Sequence, residues 1–196
     1  MRLIEASSAG QVIVNPLSGE RIVIGGRAPG GGVLVWELIL DPGGAVPSRH
    51  AHPNQEESFT VLEGSMRFRV GRRGVDAGPG ETVRVTPGAV HHFANLGGVP
   101  ARVSVETRPA LDMEAMLEVA AALAQDQQSA GRRLPRLLDL VLFMRDFRHE
   151  VAAPYLPAAL VGGAARPLAW IARVIGADAH YRDVRGHGPA IVDPGE

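Results

Sequence analysis

The chain has 196 residues, of which 45% are hydrophobic and 21% charged, and its formal net charge is −1. This composition is typical of one globular domain, or of one domain with an appendage, and it gives no strong field toward nucleic acid or an anionic membrane. Cysteine and lysine are both missing from the sequence, which excludes thiolate nucleophiles, thiolate metal sites and lysine Schiff-base chemistry. We expect a cytoplasmic protein with no nucleic-acid or membrane partner, because no secretory signal or membrane-length apolar run is present.

Short apolar stretches separated by glycine- and proline-rich turns fill the chain as far as Pro109. They are rich in valine, isoleucine, phenylalanine and threonine, and they show no helical period. Examples lie at residues 11–26, 31–44, 58–74 and 80–88. Many short strands at regular spacing predict an all-β sandwich or barrel. Hairpins are predicted around Ser18-Gly19 and Glu63-Gly64.

Two histidines and a glutamate follow one of these turns. On a strand, alternate side chains share a face, so His50 and His52 can point the same way. In the following strand, Glu57 shares its face with Phe59 and Val61. This alternation predicts an apolar interior that contains one carboxylate, with the preceding glutamate facing away.

A second histidine segment, TPGAVHHFAN, comes about thirty residues later. Its glycine allows a sharp turn into a strand that carries His91, Phe93 and Asn95 on one face and His92 on the other. Burying three imidazoles and a carboxylate is costly unless a cation pairs with them. Nitrogen and oxygen donors of this kind suit Fe(II), Mn(II), Ni(II), Co(II), Cu(II) or Zn(II), and a six-coordinate ion would keep two open positions, which favours catalysis over structural bracing.

Both segments resemble the two conserved motifs of the cupin superfamily. The first has the spacing of Gly44, His50, His52, Glu57 and Gly64. The second has the spacing of Gly80, Gly88, His91 and Asn95, and it departs once, with Thr86 where proline is usual. The resemblance is to small single-domain cupins of the quercetin-dioxygenase-like type, and it covers residues 10–108.

The resemblance implies a mainly β fold, the double-stranded β-helix or jelly-roll barrel, with one divalent metal ion inside it. It carries over His50, His52, Glu57 and His91 as metal ligands, with Asn95 as a supporting residue. It also implies a homodimer built by packing of sheets. We therefore expect a cupin barrel at residues 1–109 and a helical C-terminal extension at 110–196 that packs on the barrel.

Other side chains are expected to surround the metal. The candidates for lining a substrate pocket are Phe59, Met66, Phe68 and Phe93, although ordinary barrel core explains them equally well. Trp36 is expected in the core or at a dimer interface, and His149, His180 and His187 on the surface. Because no second buried acid or base is evident, proton transfer would fall to Glu57 or to water at the metal.

After Pro109 the apolar residues recur at helical spacing. Three helices are predicted, within residues 112–124, 134–147 and 167–175, followed by an irregular tail after Ala179. The helical part can pack outside the barrel, which we favour. It can also cover the barrel mouth, or lie on a membrane surface through Trp170 between Arg166 and Arg173.

Three functions stay open on this basis. The first is a mononuclear metal-dependent oxygenase acting on a small organic substrate that can be aromatic. The second is a metal-dependent isomerase, epimerase or lyase of cupin type, which would need polar groups in its pocket. The third is a non-catalytic cupin that only binds a small ligand. The fold by itself does not choose among them.

Overall fold

The computed structural model describes residues 12–46, 49–132, 135–154, 165–189 and 191–192. These residues form ten strands and four helices. The strands are β1 (Val12–Asn15), β2 (Glu20–Arg27), β3 (Leu34–Leu40), β4 (Glu56–Glu63), β5 (Met66–Val70), β6 (Arg73–Ala77), β7 (Thr82–Val85), β8 (His91–Ala94), β9 (Ala101–Arg108) and β10 (Ile191–Val192). The helices are α1 (Met113–Ser129), α2 (Leu137–Asp146), α3 (Ala165–Val174) and α4 (Ala179–His187).

The strands make two antiparallel sheets. The larger has seven strands in the order β10-β1-β2-β3-β9-β4-β7, and the smaller has three in the order β6-β5-β8. Regular alternation of buried and half-buried positions in β3 (LVWELIL) and β9 (ARVSVETR) shows why these segments form strands with one face toward the core. This is the mainly β, jelly-roll architecture that the sequence predicts.

The core lies between the facing sheets. Phe59 of β4, in the larger sheet, packs against Phe68 and Phe93 of the smaller sheet, with ring centroids 5.3 and 5.4 Å away. Phe68 and Phe93 lie 5.8 Å from each other. Tilted aromatic pairs of this kind contribute about 0.5–1.5 kcal/mol each beyond the burial of apolar area.

One predicted hairpin is confirmed and the other is wrong. β1 and β2 pair across the turn at Ser18-Gly19. In contrast, β4 pairs with β7 and β9, whereas β5 pairs with β6 and β8. The chain therefore crosses from one sheet to the other at Gly64. The crossing packs this glycine, at φ +73°, so closely on the connection between β8 and β9 that a Cβ would lie 2.7 Å from the Pro100 oxygen.

The helices predicted after Pro109 are present. α1 covers the first predicted segment, α2 begins at Leu137, after Pro135, and α3 covers the third segment. α1 packs against β1, where the Gln125 side chain donates a hydrogen bond to the Val14 carbonyl at 2.8 Å. Among the described residues, no helix has both the length and the apolar character that crossing a membrane requires.

The prediction of an irregular tail is wrong. Residues 179–187 form α4, and Ile191–Val192 pair with β1 as β10. The sequence of α4, AHYRDVRGH, is too polar to show an apolar period, and its helix is stabilised by contact of Tyr181 with the core. Because β10 returns to the larger sheet, the division of the chain at residues 109 and 110 stays a prediction.

Candidate metal centre

His50 and His91 lie directly opposite each other. The His50 N–H donates to the His91 carbonyl at 3.1 Å, and the His91 N–H donates to the His50 carbonyl at 2.8 Å. Residues 50 and 51 form isolated bridges rather than the predicted strand. The neighbouring bridge joins Ala51 to Ala152, so the segment with the first two histidines runs between β8 and the C-terminal half.

The structure brings the three predicted histidines together. The ligand atoms of His50, His52 and His91 all lie within 4.8 Å of one another. Their ring centroids are separated by 5.0 Å for the first pair, 4.3 Å for His50 and His91, and 5.3 Å for His52 and His91. His52 and His91 are buried, whereas His50 is half-buried and forms the outer side of the cluster.

Glu57 lies against the same cluster. Its Oε2 is 3.1 Å from His52 Nε2 and 3.3 Å from His91 Nε2. The burial of β4 alternates as predicted, with Glu57, Phe59 and Val61 inside and the residues between them half-buried. The carboxylate is 3% exposed, so it needs a positively charged partner.

Two backbone carbonyls fix the orientation of the imidazoles. His52 Nδ1 donates to the Glu150 carbonyl at 2.5 Å, and His91 Nδ1 donates to the Ala89 carbonyl at 3.1 Å. With Nδ1 protonated in each ring, Nε2 is the nitrogen that faces Glu57. This arrangement, in which the far nitrogen is held by an outer hydrogen bond, is the usual one for metal-ligating histidines.

The donor atoms fit a bound cation. Within the described residues, His91 Nε2 is buried without a hydrogen-bond partner although it lies next to the Glu57 carboxylate. Two donors at about 2.1 Å from one ion and at right angles to each other are roughly 3.0 Å apart. The distances from Glu57 Oε2 to the two Nε2 atoms match this spacing. His50, His52 and His91 therefore form a possible metal-binding site, and Glu57 is placed to join it.

His52 and Glu57 also shift each other's pKa values. Burial by itself raises the pKa of Glu57, but the positive charge and hydrogen bond of His52, together with His91, outweigh it and hold the pKa well below its usual range. Burial lowers the pKa of His52, but the Glu57 carboxylate outweighs that effect and raises it. His52 Nε2 thus shares either a proton or a metal cation with Glu57.

Sequence reasoning missed two supports of this site. Thr107 of β9 accepts a hydrogen bond from Trp36 Nε1 at 3.1 Å and donates its own hydroxyl to Glu57 Oε1 at 3.5 Å. Trp36 is buried in the core. The second support is Glu150, whose carbonyl holds His52 and whose carboxylate accepts the backbone N–H of Asp112 at 3.4 Å. A backbone carbonyl carries no sequence signal that could have revealed it.

The predicted pocket residues all lie in the core. Phe59, Met66, Phe68 and Phe93 are 0–4% exposed. The Phe59 ring lies beside the cluster, with its centroid 6.2 Å from that of His91. Their role toward a substrate stays a prediction.

Asn95 and the other histidines take various places. Asn95 Nδ2 donates to the carbonyls of Leu40 and Val99, which fixes the end of β8. His92, His149 and His187 lie outside the cluster, half-buried or exposed. His180, predicted on the surface, is half-buried and lies between Asp139, 2.9 Å away, and Asp126, 3.3 Å away, so that it links three helices.

Comparison with known proteins finds a similarity that is confined to part of the chain. Residues 36–107 match the family model described as the cupin domain. The tetracenomycin polyketide synthase protein TcmJ of Streptomyces glaucescens is 37% identical over 76 residues, which is 39% of this chain and 50% of that protein. This chain thus spans about half the length of the curated relative it matches.

Solved structures show partial likeness. The TT1209 protein of Thermus thermophilus is 27% identical, with a TM-score of 0.44, over 48% of this chain and 87% of that one. A Thermotoga maritima protein described as a predicted oxalate decarboxylase is 16% identical, with a TM-score of 0.47. The match covers 55% of this chain and 99% of that one. The family-model match covers residues 36–107, less than half of the chain, and these residues lie in the two antiparallel sheets described above.

Proposed function

We propose that this chain is a mononuclear metal-dependent oxygenase that acts on a small organic substrate with an aromatic or similarly apolar body. The observation that supports it is the convergence of three imidazoles and one carboxylate at the edge of an apolar core, with His50 on the outer side. Four ligating side chains leave a six-coordinate ion with two free coordination positions. Other molecules can bind there, which suits catalysis.

The residues of the site would divide the work as follows. His50, His52, His91 and Glu57 would hold one divalent ion of Fe, Mn, Ni, Co, Cu or Zn. When bound, such an ion supplies Lewis acidity, and a redox-active one also supplies electrons to dioxygen. The carbonyls of Ala89 and Glu150 keep Nε2 of two rings free for the ion. Glu57, ionised at neutral pH, would also accept a proton from the substrate.

The expected substrate class rests on the surroundings of the site. Phe59, whose ring centroid is 6.2 Å from that of His91, and the neighbouring Phe68, Phe93 and Met66 make the interior beside the site apolar and uncharged. An aromatic or apolar body would match them better than a sugar would. The relative named as a polyketide synthase protein supports a polyketide-type compound as the first substrate to test.

A second candidate is a metal-dependent isomerase or lyase. It is favoured by Glu57, because Thr107 and His52 orient this ionised carboxylate as a base would need to be oriented. Such a reaction moves a proton without consuming dioxygen. A requirement for O₂ therefore separates the two candidates.

The first test is metal content. Protein purified without a chelating tag should contain one transition-metal ion per chain by elemental analysis. His52→Ala and His91→Ala should each lose it, because each removes a buried ligand. His92→Ala is the matched control, since His92 is the next residue on the same strand but points to the opposite face. Metal-free wild-type protein after incubation with each candidate ion would refute the proposal.

The second test is turnover. The Fe(II)-loaded protein should consume O₂ with polyketide-type aromatic or diketone substrates, and Glu57→Gln should slow it even where metal is retained. Product formation under argon would instead establish the isomerase or lyase. A protein that binds metal and substrate but forms no product, with O₂ or under argon, would be a non-catalytic binding protein.

A further inference from the structure

A cavity of about 210 Å³ lies among α2, α3 and α4, and none of its lining residues belongs to the barrel. Its charged lining comprises four arginines and two aspartates: Arg145, Arg173, Arg182, Arg185, Asp146 and Asp178. At ~30 Å³ per water, the space holds roughly seven waters, enough for a small polyatomic anion. We propose that this cavity is a binding site for a small oxyanion, a carboxylate or phosphate compound, separate from the metal centre.

The two aspartates are already engaged. Asp146 accepts hydrogen bonds from Arg145 at 2.5 and 2.8 Å and from the Tyr181 hydroxyl at 3.3 Å, and it also pairs with Arg185. Asp178 pairs with Arg182 at 3.1 Å. Four guanidinium groups against two carboxylates leave an excess of positive charge on the cavity wall.

Arg173 contributes most directly to the excess of positive charge on the cavity wall. In the ranges that the structure describes, its guanidinium has no hydrogen bond or ion pair, although it lines the cavity. Asp146 and Asp178 are 14% and 10% exposed and orient the other arginines. Arginine offers a planar fork of donors that matches the oxygens of carboxylate and phosphate, so the wall is preorganised for such groups.

The test is a titration of the full chain with inorganic phosphate and, separately, with succinate, at constant ionic strength and followed by calorimetry. Wild-type protein should bind at least one of them, and the preferred one tells phosphate from carboxylate. Arg173→Gln should weaken binding at least about tenfold, because it removes a charged donor that would otherwise bind the anion. Arg108→Gln is the control: it makes the same charge change on the exposed end of β9 and should bind like wild type.

Two further variants keep the result decisive. Arg173→Lys retains the charge but loses the fork, and it should fall between wild type and Arg173→Gln. If Arg173→Gln fails to fold by circular dichroism, Arg182→Gln replaces it with the same expected loss. Wild-type protein that binds neither anion, or equal affinity in the Arg173 and Arg108 variants, would overturn the proposal. Binding at the metal centre would show itself as binding that no cavity variant changes.

Discussion

Thr107 connects the candidate metal centre to the barrel wall through a single hydroxyl. Trp36 donates to this oxygen, and the hydroxyl hydrogen goes to Glu57. All three side chains are buried, so the carboxylate that borders the histidines is oriented by the core itself. Losing an outer hydrogen bond of this kind typically lowers metal affinity by about 10–100-fold.

Thr107→Val should therefore weaken metal binding by about 10–100-fold, because Glu57 loses its orienting donor. It should also cost about 1–3 kcal/mol of stability, since Trp36 Nε1 is left buried without an acceptor. Competition with a chromophoric chelator measures the first effect and urea unfolding the second. Thr60→Val is the control, because Thr60 lies on β4 and its hydroxyl pairs with that of the exposed Thr82. Unchanged affinity in Thr107→Val would show that Thr107 does not position Glu57.

Glu20 gives the protein a dependence of stability on pH. Burial raises the pKa of Glu20, and hydrogen bonds from Ser18 and Asn15 offset this only in part. Above its ordinary value of 4.5, the folded protein therefore keeps a proton that the unfolded chain releases. Stability contributed by this proton is present at low pH and is lost as the pH rises through the raised pKa.

Glu20→Gln should remove the loss of stability that wild type shows as the pH rises. The variant should melt above wild type at pH 8, by about 2–4 °C for each kcal/mol of stabilisation, and the difference should shrink toward pH 4. Differential scanning calorimetry across this range measures it. Glu106→Gln, on the exposed side of β9, should show no such trend. A melting difference for Glu20→Gln that does not vary with pH would contradict the explanation.

At the scale of elements, the crossing from β4 to β5 depends on Gly64. Its φ is +73°, and a Cβ there would lie 2.7 Å from the Pro100 oxygen and 2.9 Å from Ala101 Cα. Gly71 also has a positive φ, +59°, but open space around it. Comparing the same substitution at these two glycines therefore separates the cost of backbone strain from the cost of steric conflict.

Gly71→Ala should cost about 1 kcal/mol from backbone strain alone, whereas Gly64→Ala should cost about 2–4 kcal/mol because the backbone beside it must also move. Unfolding in urea gives both values. Equal losses at the two glycines would mean that the close approach to Pro100 and Ala101 is not what selects glycine at position 64.

The segment after α2 is the second element on which the metal centre depends. Ala152 and Ala51 exchange hydrogen bonds of 2.8 and 2.9 Å, and this bridge places the Glu150 carbonyl on His52. Ala152→Pro deletes one of the two bonds and should lower metal affinity by about 10–100-fold. Asn54→Ala, which removes only an exposed contact to the same segment, is the control. If both variants bind metal equally well, the C-terminal half does not support the site.

For the whole molecule, patterns within a few residues predicted the most. The alternation around Glu57 placed its carboxylate inside, and the separation of His91 from His92 by one position placed them on opposite faces. The bond from His52 to Glu150 spans 98 residues and ends on a backbone carbonyl, so no local pattern could predict it. Nor could local pattern show that β4 and β5 belong to different sheets, because that depends on partners far along the chain. The homodimer stays a prediction.

The last strand has a consequence for self-association. β10 has only two residues, yet it occupies the outer side of β1, at one end of the larger sheet. An uncovered β1 would present unpaired N–H and C=O groups, which readily recruit a strand from a second molecule. A chain truncated after Gly188 would therefore expose the edge of β1. We expect such a chain to self-associate through this edge, which the two residues of β10 cover in the full chain.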